Sequence, residues 1–400
     1  MNKLFNLILK KMRKLAKMGM FAFLGVALAT GFVGCNDDDP NYSNVTPPAI
    51  KVSHSISGRV TGMDGTGLAA TVSLNGTAQQ TQADGTFLFE SVAVGSYTLT
   101  AEAEGKQTKE TTVSVSESGE GANVVWNVAL PNVGTTVEIN ASGTTETSVA
   151  SETVEGNDEG TVTVDVEVPE QALPEGSSII ITPIYSLEEA MTRATESVML
   201  IGTNLACTDE SATLQQPITL TYDVDAEIAG SITVQKLVNG QWVNAEATVE
   251  GDQVTVFADQ FTSYTLMFEA DVTSSTSSEP LSFAQSSWDN LYGSGDMTVE
   301  NASFTYHIGT EITSTGTNRV SAYLIEILAR LAGASVTTVT GSYPLNVTLP
   351  VGTALDIAGS QQVTTLTVSA LGRSVSGKQY GDIAVTARSY NRNHDGGTNS

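Results

Sequence analysis

From Ser53 to Ser400, polar and apolar residues alternate in short runs, the period-two pattern of half-buried β-strands. Thr161-Val162-Thr163-Val164-Asp165-Val166-Glu167-Val168 is the cleanest case, and valine, isoleucine and threonine dominate the rest. Asp64-Gly65, Asn75-Gly76, Asp84-Gly85 and Asn239-Gly240 punctuate the runs, since these pairs accept the positive φ of tight hairpins. One stretch has a different period. Val320, Tyr323, Leu324, Ile327, Leu328 and Leu331 share a face at helical spacing, which predicts a helix over 318–332 with Gly333 as its stop. Glu326 and Arg330 form an i,i+4 pair on it. A short surface helix is expected over 187–194. The pattern predicts an all-β chain of several sandwiches, the last a β domain with one packed α-helix.

Charge divides the 400 residues further. Residues 35–130 carry 11 acidic and 4 basic side chains, 131–280 carry 25 and 2, and 281–400 carry 8 and 6. The stretch 131–158 and the run Thr273–Pro280 are polar and low in complexity, and the second is expected to be a hinge. Three domains are therefore predicted, over 54–130, 131–272 and 281–400. With 44 acidic and 18 basic residues, net −26, the chain lacks the basic surface that nucleic acid requires. Its 40% hydrophobic content supports packed cores. Two cysteines cannot build a disulfide scaffold or a four-cysteine zinc site.

The amino terminus has its own chemistry. Lys3, Lys10, Lys11, Arg13, Lys14 and Lys17 precede an apolar run from Met18 to Val33, shorter than a membrane-spanning helix. The run ends in Phe32-Val33-Gly34-Cys35, which resembles a bacterial lipobox. That resemblance implies a signal peptide over 1–34 and a diacylated Cys35. Asp37, Asp38 and Asp39 follow, similar to the export tract of surface lipoproteins of Bacteroidetes. Residues 35–53 then read as an acidic, proline-bearing tether. Lipid anchoring at the outer membrane, facing the cell exterior, is the expected address. Cys207 follows an apolar stretch and is expected to be buried and inert.

Two body segments resemble known families. Thr81-Gln82-Ala83-Asp84-Gly85-Thr86-Phe87-Leu88-Phe89 followed by Gly95-Ser96-Tyr97-Thr98-Leu99 resembles the carboxypeptidase regulatory-like module. That is a small transthyretin-type sandwich, and the resemblance implies a non-catalytic accessory. Pro169 to Gly176 leading into Ile179-Ile180-Ile181 loosely resembles the start of ZU5-type β-domains. The order of signal, module, acidic β-domain and Thr/Ser-rich tail looks like uncharacterised lipoproteins of gut Bacteroidetes. Some of those relatives are associated with pore-forming toxins.

Catalytic signatures are missing: H-E-x-x-H, G-x-S-x-G and the P-loop pattern do not occur. His54 and His394 lie near segment ends, and His307 reads as a half-buried strand residue. No catalytic residue, metal site or cofactor is predicted. The candidate ligand loop is Trp288, Asp289, Asn290 and Tyr292, where rings stand beside hydrogen-bonding groups in the manner of sugar sites. The expected function is binding or adhesion, to a glycan or a protein, at a membrane reached through lipid. Membrane perturbation by the C-terminal domain and glycan hydrolysis are the alternatives.

Overall fold

The computed structural model describes residues 54–117, 122–140, 142–185, 197–209, 211–284, 297–313, 318–349 and 353–391. Cys35, the Asp37–Asp39 tract, the 187–194 stretch and the loop bearing Trp288, Asp289, Asn290 and Tyr292 lie outside them. The described part is all-β with a single long helix.

The first seven strands are β1 (Ser55–Thr61), β2 (Thr71–Leu74), β3 (Thr77–Gln80), β4 (Thr86–Glu90), β5 (Gly95–Glu102), β6 (Lys109–Val115) and β7 (Asn123–Ala129). They form a sandwich. β4, β1 and β7 make one sheet, with β1 parallel to β7, and the order β3-β2-β5-β6 makes the other. Alternate residues meet between them: Ile56, Val60, Phe87, Leu99 and Ala101 are buried, and Phe89 and Tyr97 pack at the margin. Asn75-Gly76 turns with φ of 45° and 86°, the left-handed pair of a type I′ hairpin.

A larger sandwich follows, from β8 (Thr135–Glu138), β9 (Thr145–Ala150), β10 (Thr163–Val168), β11 (Ser178–Ile184), β12 (Val198–Cys207) and β13 (Ile218–Asp223). It is completed by β14 (Thr233–Val238), β15 (Gln241–Asn244), β16 (Ala247–Glu250), β17 (Gln253–Ala258) and β18 (Ser263–Phe268). The sheet orders are β16-β17-β13-β10-β9 and β15-β14-β18-β12-β11-β8. The polar stretch after residue 130 thus contributes strands at two sheet edges, where threonine and glutamate face water. Cys207, expected to be buried, is half-buried because it closes β12 beside exposed Thr208.

The remaining strands are β19 (Asp271–Pro280), β20 (Ser282–Ala284), β21 (Met297–Ile308), β22 (Thr310–Ile312), β23 (Val339–Leu349), β24 (Thr353–Ala370) and β25 (Arg373–Asn391). The Thr/Ser run expected as a hinge is β19. It pairs with β24 from Asp271–Ser369 to Pro280–Ser360, and threonine's β-branch suits an extended edge even without apolar alternation. β24 and β25 form a long hairpin turning at Leu371-Gly372. β25 then reaches β7 at the Ile383–Asn123 pair, so one sheet runs β19-β24-β25-β7-β1-β4. The small sheet β20-β21-β23 packs Phe304, Tyr306, Ile308 and Tyr343 over Ile383 and Val385 of that sheet, with Leu88 and Val125 alongside.

β1 is consequently buried along its whole length. Its apolar side faces β2 and β5, and its polar side, Ser55, Ser57, Arg59 and Thr61, is covered by C-terminal residues. Arg59 is 6% exposed. Its Nε donates to the Asp84 carbonyl at 2.7 Å, and its Nη1 donates to Ser335 Oγ at 3.3 Å and to the Thr337 carbonyl at 3.2 Å. Thr61 Oγ1 donates to the Ala334 carbonyl. Arg59→Met keeps the stem and removes the donors, stranding carbonyls under cover. An expected loss of about 1–3 kcal/mol is checked by urea denaturation.

The helix spans Arg319–Leu331. Asn318 caps it, its Oδ1 accepting from Ser321 N–H at 2.9 Å. At the other end Gly333 N–H bonds the Arg330 carbonyl and Ala334 N–H bonds that of Ala329, a Schellman close with Gly333 at φ 82°. Nine of its thirteen residues are buried, so it is enclosed rather than laid on a surface. Tyr323, Leu324, Ile327 and Leu328 join one core with Met63, Val162, Leu200, Val368 and Val375. The helix is therefore packed among all three sequence segments. Glu326 and Arg330 differ from a solvent-exposed i,i+4 pair for this reason: each is held by buried partners. Glu326 Oε1 accepts from Val154 N–H at 2.9 Å and Asn157 Nδ2 at 2.6 Å, while Arg330 Nη1 donates to the Met199 and Leu200 carbonyls.

Candidate functional site

The segment Thr77 to Leu88 folds as a hairpin strand, a turn at Asp84-Gly85, and β4. Its glutamines come to lie opposite β23, the edge of the small C-terminal sheet. A cleft of about 320 Å³ opens between them. Gln79, Gln80, Gln82, Asp84, Thr340 and Ser342 supply its polar walls. Phe87, Tyr306 and Ile308, all buried, supply apolar surface beneath.

Each polar group has a reason for its position. Asp84 Oδ1 accepts from the Thr86 N–H at 3.0 Å and hydroxyl at 2.6 Å, a turn held by its own side chain. Partial burial opposes the Asp84 carboxylate, but the two Thr86 bonds and the Arg59 charge outweigh it, so it titrates below the ordinary aspartate range. Gln80 Nε2 bonds Thr71 Oγ1 at 2.8 Å across the hairpin. Gln79 Nε2 is closed off from solvent and has no partner among the described residues. Tyr306 stands opposite Gly341 in the β21–β23 ladder, and a Cβ at Gly341 would lie 2.6 Å from its Cζ. The ring therefore occupies space that only glycine leaves free. Burial raises the Tyr306 hydroxyl pKa, although a hydrogen bond with Ser57 works against the shift.

Uncharged amides and hydroxyls around ring and aliphatic surface can exchange hydrogen bonds with a neutral polyol while covering its apolar face. The cleft holds one carboxylate. Among the described residues no three His, Cys, Asp or Glu side chains converge as for a metal ion. His54 Nδ1 contacts the Ala122 carbonyl at 3.2 Å, and half-buried His307 lies against Tyr380, ring centroids 5.0 Å apart, so these two are apart from the cleft.

Sequence reasoning placed the candidate loop at Trp288, Asp289, Asn290 and Tyr292, outside the described residues, and missed the cleft. The signal available was the run Gln79-Gln80-Thr81-Gln82 just before the Asp84-Gly85 turn. Its counterpart, Thr340 and Ser342, could not be joined to it without the fold. No helix among the described residues is long and apolar enough to cross a membrane.

Residues 55–131 match the carboxypeptidase regulatory-like domain. No curated protein matches the chain. Among solved structures, it is similar to a candidate membrane-associated protein of unknown function from Bacteroides fragilis, at 13% identity and TM-score 0.36, over 84% of this chain and 98% of that one. A candidate pore-forming toxin from Bacteroides vulgatus is similar at 11% identity and TM-score 0.28, over 88% and 96% of the two chains. The major pilin subunit of Bacillus cereus, BcpA, is similar at 14% identity and TM-score 0.18, over 84% and 85%.

Proposed function

We propose that the chain is a lipid-anchored, surface-exposed binding protein without catalytic activity, and that the cleft between β3–β4 and β23 takes a neutral glycan. The observation that carries the ligand class is the lining: amides and hydroxyls from two sequence-distant strands gathered over Phe87 and Tyr306. Asp84 is the one charged side chain in the lining, so most of the wall consists of neutral groups that suit an uncharged ligand. The anchor is argued from Phe32-Val33-Gly34-Cys35 and the acidic residues after it. A regulatory-like module at the head of the body fits an accessory role, because in such a module the loops and edges carry contacts on a rigid sandwich.

The full chain in detergent micelles, screened on a glycan array, tests the reading. Retention of neutral glycans is expected, with Gln82→Ala and Thr340→Ala each weakening it about three- to tenfold, the effect of one hydrogen bond. Absence of any glycan retention, or indifference to both substitutions, overturns the assignment. So does release of dye from liposomes by the wild-type chain, which would place its action in the membrane. Turnover of the retained glycan would overturn the non-catalytic part. For the anchor, Cys35→Ser is expected to abolish incorporation of labelled palmitate and membrane retention together.

A further inference from the structure

A second cavity, of about 300 Å³, lies where β6 and β7 of the module, the end of β11 and the C-terminal end of the helix meet. It shares no lining residue with the glycan cleft and differs from it in charge. Gln107, Lys109, Asn127, Tyr185 and Arg330 supply its polar lining, with Pro131 and Pro183 among its apolar walls.

The cavity holds donors without acceptors. Arg330 is pinned along one edge: Nε donates to the Glu326 carbonyl at 3.1 Å, and Nη1 to the Met199 and Leu200 carbonyls at 3.2 and 2.8 Å. Its Nη2 has no acceptor among the described residues. Tyr185 lies against the same guanidinium, its ring centroid 5.8 Å from Cζ. Its hydroxyl oxygen accepts from Glu152 N–H at 2.8 Å, which leaves the hydroxyl proton to donate elsewhere. Burial raises the Tyr185 pKa, so that proton stays in place at neutral pH. The Nζ of half-buried Lys109 makes no ion pair or hydrogen bond among the described residues.

Gln107 and Asn127 bring amide oxygens as well, and Gln107 Nε2 is already engaged with the Asn132 carbonyl. Asn127 Oδ1 is closed off from solvent and lacks a partner among the described residues. The nearest competing anions are already engaged. Glu326 is held by Val154 and Asn157, and Glu152 by Lys106 Nζ at 3.2 Å and Asn132 N–H at 2.6 Å. Desolvation lowers the Arg330 pKa despite the Glu326 charge, as expected of a cation whose burial is incompletely compensated.

We propose that this cavity binds a small hydroxy-carboxylate of acidic-monosaccharide size. The carboxylate meets Arg330 Nη2, the Tyr185 hydroxyl and Lys109 Nζ, and the ligand hydroxyls face the amide side chains of Asn127 and Gln107. Two oxygens in one plane suit a guanidinium edge, and the prolines cover the ring. The volume is at the lower end for ligand pockets, so a single sugar ring fills it.

Calorimetry on the full chain tests this with glucuronate, with glucose as the same ring lacking the carboxylate, and with glycyl-alanine as a carboxylate carried by a peptide. Glucuronate is expected to bind and glucose not, with Lys109→Gln weakening glucuronate about tenfold, the loss of one charged contact. Asn127→Asp, which adds a repelling charge, is expected to abolish binding. Arg330→Lys is the sharper change, but it also disturbs the Met199 and Leu200 carbonyls, so the first two variants decide. Equal affinity for glucose and glucuronate, no glucuronate binding at millimolar concentration, or an unchanged affinity in Lys109→Gln overturns the proposal. Tighter binding of glycyl-alanine than of glucuronate overturns the sugar assignment. Glucose or neutral-glycan binding lost only through Gln82→Ala would report the other cleft.

Discussion

Glu326→Ala is expected to destabilise the chain by about 3–5 kcal/mol, because it removes a buried carboxylate that accepts two hydrogen bonds and whose charge acts on Arg330. Glu326 is 2% exposed. Loss of its carboxylate strands the Val154 N–H and the Asn157 amide and leaves Arg330 buried without a nearby negative group. A urea midpoint within error of the wild type would refute this. Burial raises the Glu326 pKa, opposed by Arg330 and by the bonds from Asn157 and Val154. The native chain therefore keeps a proton that the unfolded chain has released, over the interval between the ordinary and the native pKa. Its stabilising contribution is complete below the ordinary glutamate value, about 4.3, and is lost as pH rises through the native one. In Glu326→Gln that part of the decline is expected to vanish. The check is a comparison of wild-type and variant urea midpoints across the weakly acidic range.

Gly58→Ala is expected to cost about 3 kcal/mol or more and to melt the module's central strand. Gly58 lies between Trp126 on β7 and Phe87 on β4 in the ladder. A Cβ there would run into the Trp126 carbonyl and approach Phe87 Cζ to 2.9 Å. The carbonyl belongs to backbone, so no rotamer change relieves the contact, and both neighbouring strands would have to move. Amide hydrogen exchange across Ser55–Thr61 should accelerate with the loss of stability. Protection equal to the wild type would show that the strands can part without penalty.

Where one face of a strand decides its character, the sequence is readable. Thr161 to Val168 alternates and becomes β10, and Phe87 and Leu99 are core, as their spacing implies. The helix is equally plain, because Asn318 and Gly333 mark its ends chemically. Thr273 to Pro280 misleads because an edge strand open to water needs no apolar period, so its composition matches that of a hinge. The polar side of β1 is silent instead. Nothing local to Ser57 and Arg59 signals burial, yet partners more than two hundred residues later cover them. Neither cavity could be read from local pattern, since each is assembled across distant strands.

The pairing of β25 with β7 has a consequence for how the chain is made. The flank of the N-terminal sandwich is completed only by residues near the carboxyl end, so during synthesis Ser55, Ser57, Arg59 and Thr61 wait in solvent for their cover. A greasy surface left open that long would invite aggregation. Hydroxyls and a guanidinium stay hydrated until the late strands arrive. The serine and threonine spacing of β1 thus reads as a safeguard for a nascent polypeptide, keeping that face at ease in water until the late strands close over it.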